Sequence, residues 1–196
     1  MLGISPEQEY ISRFLSGDSY AFNFLVKRWQ FPVYEVAYRY IGNEQDAKDI
    51  CQNTFIKAYK NLKKLKNNES FSIWIYRIAV NLCKDELKKR KKRKYSSFDQ
   101  ISIKNEPVLK DTVNIKPEFE ENIIKKDTRE IIISAVNSLP DEQKEVLILK
   151  EYQRLKFREI AETLKISENT AKSRMYYALK NIKTNLEKLN LDKEVF

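Results

Sequence analysis

Apolar residues recur at three- and four-residue spacing in two stretches of this chain, residues 1–94 and 122–190, and the spacing disappears between them. Such spacing predicts amphipathic α-helices. Three glycines and five prolines among 196 residues argue against a turn-rich β protein. Residues 95–121 are polar and acidic, with Pro107 and Pro117. The sequence therefore predicts an all-α fold of two small helical domains, joined by a flexible acidic linker that is partly disordered in the free protein.

Start and stop signals divide the first stretch into four predicted helices. The first ends at Gly17, and Asp18 or Ser19 caps the second, which runs to a stop at Gly42. Pro32 is predicted to kink or interrupt this second helix, because proline lacks the backbone N–H that a helix interior uses.

The third predicted helix opens at Asn43 and ends near Leu62. A polar loop follows over residues 63–70, and Ser70 starts a fourth helix that closes in the basic run 88–94. The second stretch resumes at Asn122 and also reads as helices. Pro140 stops one of them, Asp141 starts the next, and a short helix is predicted over 157–164. Ser167 caps a long final helix, and its predicted apolar stripe is Ala171, Met175, Leu179, Ile182, Leu186 and Leu189.

Positive charge is concentrated in the first stretch. Residues 1–94 carry 19 Lys/Arg against 10 Asp/Glu, the linker carries 3 against 6, and residues 122–196 carry 15 against 12. Seven consecutive cations at 88–94 repel one another, and a polyanion relieves that repulsion because each neutralised phosphate releases counterions. By itself the run is equally typical of a solvated helix end or a localisation tract. The residues upstream of it favour nucleic acid.

No stretch of about eighteen apolar residues marks a membrane span, and the first ten residues lack the pattern of a signal peptide. We therefore expect a soluble cytoplasmic protein without membrane insertion. The two cysteines, Cys51 and Cys83, lack CxxC spacing, and the chain has no histidine. The sequence predicts no metal site and no cofactor. Reduced core thiols are the expectation, with a redox role for Cys51 as the alternative.

The fourth predicted helix arranges cations and one amide on a single face. Arg77, Asn81, Lys84 and Lys88 fall at i, i+4, i+7 and i+11. An asparagine side chain matches a base edge with both a donor and an acceptor. Phe71 and Trp74 stand at the start of the helix, and aromatic rings there can stack an unpaired base. The alternative is that both rings are core anchors and Asn81 is a polar surface residue.

Residues 157–177 have the spacing of a helix-turn-helix. The N-terminal half of its second helix projects outward the polar side chains expected to enter a major groove. These are Asn169, Thr170, Lys172, Ser173, Tyr176 and Tyr177. The alternative is a generic αα-hairpin, and Lys165 stands where a turn glycine is usual. Glu168 at the helix start either favours the helix dipole or accepts a hydrogen bond from cytosine.

At these residues the chain resembles a bacterial sigma factor of the extracytoplasmic-function (ECF) type, over nearly its whole length outside the linker. The motifs that carry the resemblance are GNEQDAKDICQNTF at 42–55, WIYRIAVN at 74–81, Leu139-Pro140, REIA at 158–161 and TAKSR at 170–174. The resemblance implies sigma region 2 at 1–94, a linker at 95–121 threading through polymerase, sigma region 4 at 122–190 and a tail at 191–196. A sigma factor has no catalytic centre of its own, so the chain is predicted not to be an enzyme.

The resemblance also implies residue roles and partners. Asp49, Gln52, Asn53 and Phe55 match the helix that docks on the β′ coiled coil of core RNA polymerase, although Asn53 replaces a usual acid. The loop 66–72 matches the one that captures an extruded base of the minus-ten element, with Asn81 contributing to its recognition. Residues in the 172–177 segment match those that read the minus-thirty-five element. They include Lys172, Ser173, Arg174, Tyr176 and Tyr177, with Tyr177 where a second basic residue often stands.

The implied partners are the β and β′ subunits of core polymerase, promoter DNA and an anti-sigma factor, which can be membrane-anchored. Two other functions compete with this hypothesis. A two-domain helix-turn-helix regulator would bind operator DNA tightly without polymerase, and the basic, aromatic N-terminal half fits it poorly. A nucleic-acid enzyme would need clustered carboxylates, a phosphate loop or a metal pattern, and the sequence shows none.

Overall fold

The computed structural model describes residues 6–65, 70–98 and 132–194, and the regular structure in these ranges is helical. The chain divides into two compact units, with the boundary between residues 113 and 114. The first unit contains α1 (Pro6–Leu15), a 3₁₀ turn (Ser19–Ala21), α2 (Phe22–Ile41), α3 (Glu44–Asn61), a second 3₁₀ turn (Leu62–Lys64) and α4 (Phe71–Phe98). The second contains α5 (132–137), α6 (Asp141–Leu147), a π-helical continuation of α6 (Ile148–Tyr152), α7 (Phe157–Leu164) and α8 (Glu168–Glu194).

Two predicted capping residues form caps, although Asp18 begins the 3₁₀ turn before α2 and not α2 itself. An Asp18 carboxylate oxygen accepts from the Ala21 N–H at 3.3 Å, which begins the first 3₁₀ turn. The Asn43 side-chain oxygen accepts from the Asp46 N–H at 2.9 Å and so caps α3. Each cap satisfies a backbone donor that the helix itself leaves without a partner.

Gly42 ends α2 in the left-handed region, with φ +74° and ψ +9°. A Cβ added there would meet no atom within 4 Å, so a substitution is penalised through the backbone alone. We expect Gly42→Ala to destabilise the first unit by about 1 kcal/mol, measured as a lower urea midpoint at unchanged slope. Gly42→Asn is the control and should cost less, because asparagine tolerates this conformation. An alanine variant with the wild-type midpoint would contradict the prediction.

Two predicted helix boundaries differ from the structure. Helix α2 continues through Pro32, so the predicted interruption is wrong; proline removes one backbone hydrogen bond, and core residues on both sides hold the helix. The kink stays a prediction. Helix α4 runs to Phe98, four residues beyond the basic run in which the sequence predicted it to close, because helical hydrogen bonding continues through polar residues without apolar periodicity. Residues 66–69 of the capture loop, 99–121 of the linker and 122–131 lie outside the described residues.

The core of the first unit is formed by α2, α3 and α4. Its buried cluster contains Phe22, Leu25, Val33, Phe55, Ala58, Leu62, Phe71, Trp74, Ile75 and Ala79. Helix α1 packs on α2 through a carboxylate: Glu7 Oε1 accepts from Arg28 Nε at 2.7 Å and from Trp29 Nε1 at 3.0 Å. Residues 71–76 of α4 are almost all buried, residues 77–83 are buried on one side only, and residues 84–93 are exposed or half-buried. That difference leaves an outer face on α4 after Tyr76.

The second unit packs α8 against α6 and α7. The buried stripe of α8 runs through Ala171, Met175 and Ala178, and Leu179, which the sequence assigned to the stripe, is exposed. The correction follows from helix geometry, because seven residues make nearly two full turns, so that Ala178 returns to the side of Ala171 while Leu179 is rotated away. Ile132, the first residue of α5, is also exposed.

Candidate nucleic-acid interface

The outer face of α4 carries the cations and the amide that the sequence placed together. Asn81 and Lys88 are exposed, and Arg77 and Lys84 are half-buried. The opposite side of the same turns is buried in the core through residues 75, 79 and 83. A folded core therefore holds this face outward, with the amide between two cationic side chains.

Phe71 and Trp74 do not lie on that face. Trp74 is only 8% exposed and Phe71 is also buried; their ring centroids lie 5.9 Å apart, and Phe71 also contacts Trp29, with centroids 6.1 Å apart. A ring enclosed in this way offers no free surface to a base. In this structure both residues are core anchors, which was the alternative to stacking.

Arg90 shows that the basic run has a structural component. Its guanidinium binds the Asp46 carboxylate and donates to the Ile41 carbonyl at 3.2 Å, and its Nε lies 3.7 Å from Glu86. These contacts tie α4 to the end of α2 and the start of α3. The charge of this one cation of the run is therefore neutralised within the protein.

Three of the four predicted polymerase-docking residues lie on the exposed face of α3, and the fourth is buried. Asp49 and Asn53 are exposed and line a cleft of about 520 Å³ between α3 and α4. Gln52, three residues after Asp49 and therefore on the same side of the helix, is also exposed. Phe55 is a buried core residue, and its ring lies against Phe22 with centroids 6.5 Å apart. A direct docking contact by Phe55 is therefore not available in this conformation.

An apolar groove of about 700 Å³ lies between α2 and α3, and the sequence analysis did not predict it. Its exposed apolar walls include Phe31, Ile56 and Tyr59, with Lys48 and Lys60 at its edge. One feature of the sequence could have indicated the groove: these three apolar residues lie outside the apolar stripe that faces the core on each helix. A groove with apolar walls and cationic edges fits an amphipathic helix that carries acidic residues.

Cys51 lies in the wall of this groove as a half-buried thiol. Its Sγ donates to the Gln30 carbonyl at 3.4 Å, and burial raises the pKa of the thiol above its usual value. A raised pKa lowers the fraction of reactive thiolate at neutral pH. These properties favour the inert thiol over the redox sensor.

The helix-turn-helix is formed by α7, a turn at 165–167 and α8. Lys165 adopts the left-handed conformation (φ +56°) in which a turn glycine is usual. The Ile166 N–H donates a hydrogen bond to the Ala161 carbonyl at 3.0 Å. Ser167 caps α8, because its hydroxyl oxygen accepts from the Thr170 N–H at 2.9 Å. The turn therefore keeps its geometry without glycine.

The N-terminal half of α8 presents most of the predicted reading residues. Asn169, Lys172, Ser173, Tyr176 and Tyr177 are exposed, and Thr170 is half-buried. The predicted roles of Glu168 did not include a partner on its own helix, yet its carboxylate lies 2.7 Å from Lys172 Nζ.

Arg174 departs from this pattern. Its guanidinium bonds to Glu142 at 2.9 Å and to Glu145 at 3.1 Å, and the Glu145 side chain is 1% exposed. Arg174 is therefore engaged in binding α8 to α6, and the predicted DNA contact is not available in this conformation. These contacts could not be predicted from sequence patterns, because Glu142 and Glu145 lie 32 and 29 residues from Arg174 in the sequence.

Comparison with known proteins agrees with this architecture. The family model for Sigma-70 region 2 matches residues 25–93, and the model for Sigma-70, region 4 matches residues 129–182. The ECF RNA polymerase sigma factor SigW of Bacillus subtilis is 30% identical over 179 residues, 91% of this chain and 96% of the relative. The ECF RNA polymerase sigma-E factor of Escherichia coli K12 is 32% identical over 187 residues, 93% and 95% of the two chains.

Solved structures share the fold. CnrH, in a complex with the cytosolic domain of CnrY, superimposes with a TM-score of 0.67 at 19% identity, covering 93% of this chain and 98% of that one. The sigma factor RpoE, bound to the anti-sigma factor NepR from Bartonella quintana, gives 0.66 at 20% identity, covering 85% and 96%.

A region 2 followed by a region 4 defines a transcription initiation factor that directs RNA polymerase to promoters. The chain belongs to the extracytoplasmic-function sigma factors, as its relatives and both matched regions show. No helix in ranges 6–65, 70–98 and 132–194 is both long and apolar enough to cross a membrane.

Proposed function

We propose that the first unit holds the non-template strand of the minus-ten element on the outer face of α4, while α8 reads the minus-thirty-five duplex. The observation that carries the proposal is the exposed Asn81 between the half-buried cations Arg77 and Lys84, on a helix whose opposite side is core. The cations hold the phosphate backbone, and the amide meets a base edge. Exposed Lys88 extends the same face by one turn.

Strand opening follows from this arrangement because capture of an unpaired base offsets its unstacking, which costs a few kcal/mol. Each unit alone makes a small DNA contact. Core polymerase, docked through Asp49, Gln52 and Asn53, fixes the distance between the two units and so supplies effective concentration. The free protein should therefore bind promoter DNA feebly, and it contributes no catalytic centre. Its place of action is the cytoplasm, with polymerase.

Asn81→Ala tests the proposal in reconstituted holoenzyme. We expect open-complex formation to fall about tenfold or more, the range of one good base-edge contact, with no change in affinity for core polymerase. Permanganate reactivity of promoter thymines measures strand opening. Asn23→Ala, at an exposed asparagine on α2, is the matched control and should open promoters normally. Normal promoter opening by the Asn81 variant would remove this residue from the mechanism. Tight binding of operator DNA by the free chain would contradict the proposal that the two units need core polymerase to bind DNA.

The apolar groove between α2 and α3 supplies a site for an anti-sigma partner. The structurally similar CnrH and RpoE were solved in complexes with CnrY and NepR, of which NepR is an anti-sigma factor. We infer that a helix of a corresponding partner, membrane-anchored or soluble, covers the exposed Phe31, Ile56 and Tyr59. Recovery of the native complex, followed by mass identification, tests this pairing, and co-purification of β and β′ tests polymerase binding.

A further inference from the structure

Two adjacent tyrosines stand exposed on α8, where the proposed function places the minus-thirty-five duplex. Tyr176 is 64% exposed and Tyr177 is 52% exposed. Their ring centroids lie 5.4 Å apart with the planes at 75°, so the edge of one ring meets the face of the other. We propose that this tyrosine pair selects thymine in the upstream promoter element by contacting its 5-methyl group. The inference rests on the proposed reading of that element by α8.

The position of the pair on the helix supports a base contact. Asn169, Ser173 and Tyr176 fall at i, i+4 and i+7 and therefore share one face. The buried residues Ala171 and Met175 lie on the opposite side of α8. Tyr176 thus projects away from the core of the second unit, on the same face as the polar residues at the helix start. Tyr177 widens that face by one position.

The charges of α8 make guanine a poor match for this part of the helix. Arginine and lysine are the common readers of guanine, but the Arg174 guanidinium is engaged with Glu142 and the buried Glu145, and Lys172 Nζ lies 2.7 Å from the Glu168 carboxylate. Position 177 is a tyrosine and so supplies no cation. Positions 176 and 177 therefore present two exposed aromatic rings, each of which carries a phenolic hydroxyl at its far end.

A duplex offers one apolar feature on its major-groove base edges, the methyl group of thymine. Burying that methyl between two rings removes apolar surface from water on both partners, which is favourable in proportion to the area covered. The two rings also restrict each other's movement through their edge-to-face contact, so less side-chain freedom is lost on binding. Thymine is therefore the base that this pair fits.

The first experiment selects promoters with reconstituted holoenzyme from duplexes that have a fixed minus-ten element and a randomised upstream segment. We expect thymine to be enriched at one or two upstream positions. Each enriched thymine is then replaced by deoxyuridine, which lacks only the methyl group. Wild-type holoenzyme should lose about fourfold in affinity per critical methyl, the value of one buried methyl-sized group.

Variants assign the methyl dependence to the pair. Tyr176→Ala/Tyr177→Ala should bind thymine and deoxyuridine promoters equally, whereas Tyr176→Phe/Tyr177→Phe should keep the difference, because the rings remain. Lys172→Ala is the control: we expect it to weaken binding on both DNAs to the same extent, because the lysine does not take part in the apolar contact with the methyl group. Tyr177→Arg should shift the selected base toward guanine.

Two failures have different meanings. If selection enriches no upstream sequence at all, α8 does not read this element and the proposed function itself fails. If an upstream sequence is enriched but no thymine methyl affects affinity, or the double alanine variant keeps the methyl dependence, the tyrosine assignment is overturned while the reading of DNA by α8 stands.

Discussion

Replacing Arg174 with methionine should destabilise the second unit by about 3 kcal/mol. The Glu145 side chain is 1% exposed, and the Arg174 guanidinium is 3.1 Å from its carboxylate. Removal of the cation leaves a buried negative charge without that partner, and breaking a buried pair in this way typically costs about 3–5 kcal/mol. We take the lower end because the Arg174 side chain is 22% exposed. Amide hydrogen exchange in α6 and α8 measures the loss in the full chain.

The matched variant is Arg174→Met/Glu145→Gln, which removes both charges. It should recover a large part of the lost stability, because a neutral amide is far less costly to bury than an unpaired carboxylate. A surface pair on the same helix gives the control: Lys172→Met breaks the exposed pair with Glu168 and should change stability by less than about 1 kcal/mol. If Arg174→Met left exchange in α6 and α8 unchanged and weakened only promoter binding, the residue would be a DNA contact, as the family resemblance first implied.

Local chemistry explains why much of the helical framework could be predicted. The cap at Asn43 and the cap at Ser167 each join atoms three residues apart, and the left-handed stop at Gly42 depends on one residue alone. Such signals depend only on a few consecutive residues. The outer position of Asn81 followed from helical periodicity in the same way.

Contacts between distant helices were not predictable from these patterns. The Arg90 guanidinium binds the Asp46 carboxylate, 44 residues away in the sequence. The Arg174 guanidinium binds the Glu145 carboxylate, 29 residues away. In the sequence both arginines appear as part of a basic motif, and only the packing of the helices shows that a carboxylate neutralises each of them. Their apparent DNA-binding charge is therefore smaller than the sequence suggests.

Burial of aromatic residues presents the same difficulty. Trp74 and Phe71 precede a cationic helix face, a context equally suited to base stacking and to core packing. Tyr176 and Tyr177, by contrast, are exposed. Composition does not distinguish these pairs, because the outcome depends on which neighbouring helix covers each ring.

Trp74→Ala should destabilise the first unit by about 3–5 kcal/mol, the range for deleting a large buried aromatic side chain. Trp74 is 8% exposed and packs with Phe71 inside the cluster of α2, α3 and α4. Urea unfolding followed by the fluorescence of Trp29, the one tryptophan that remains, measures the change. Tyr20→Ala is the matched control, since that ring is 83% exposed, and it should leave the midpoint nearly unchanged.

A second variant separates packing from stacking. Trp74→Leu keeps an apolar side chain in the core but has no aromatic face, so it should cost less stability than alanine. Under conditions where this variant is folded, holoenzyme containing it should open promoters at nearly the wild-type rate, because a core anchor acts only through the fold. Folded Trp74→Leu holoenzyme that binds core polymerase normally but fails to separate the strands would show that the ring leaves the core to hold a base. The outer face of α4 would then be only part of the strand-binding site, since capture would require the tryptophan to exchange its core contacts for a base.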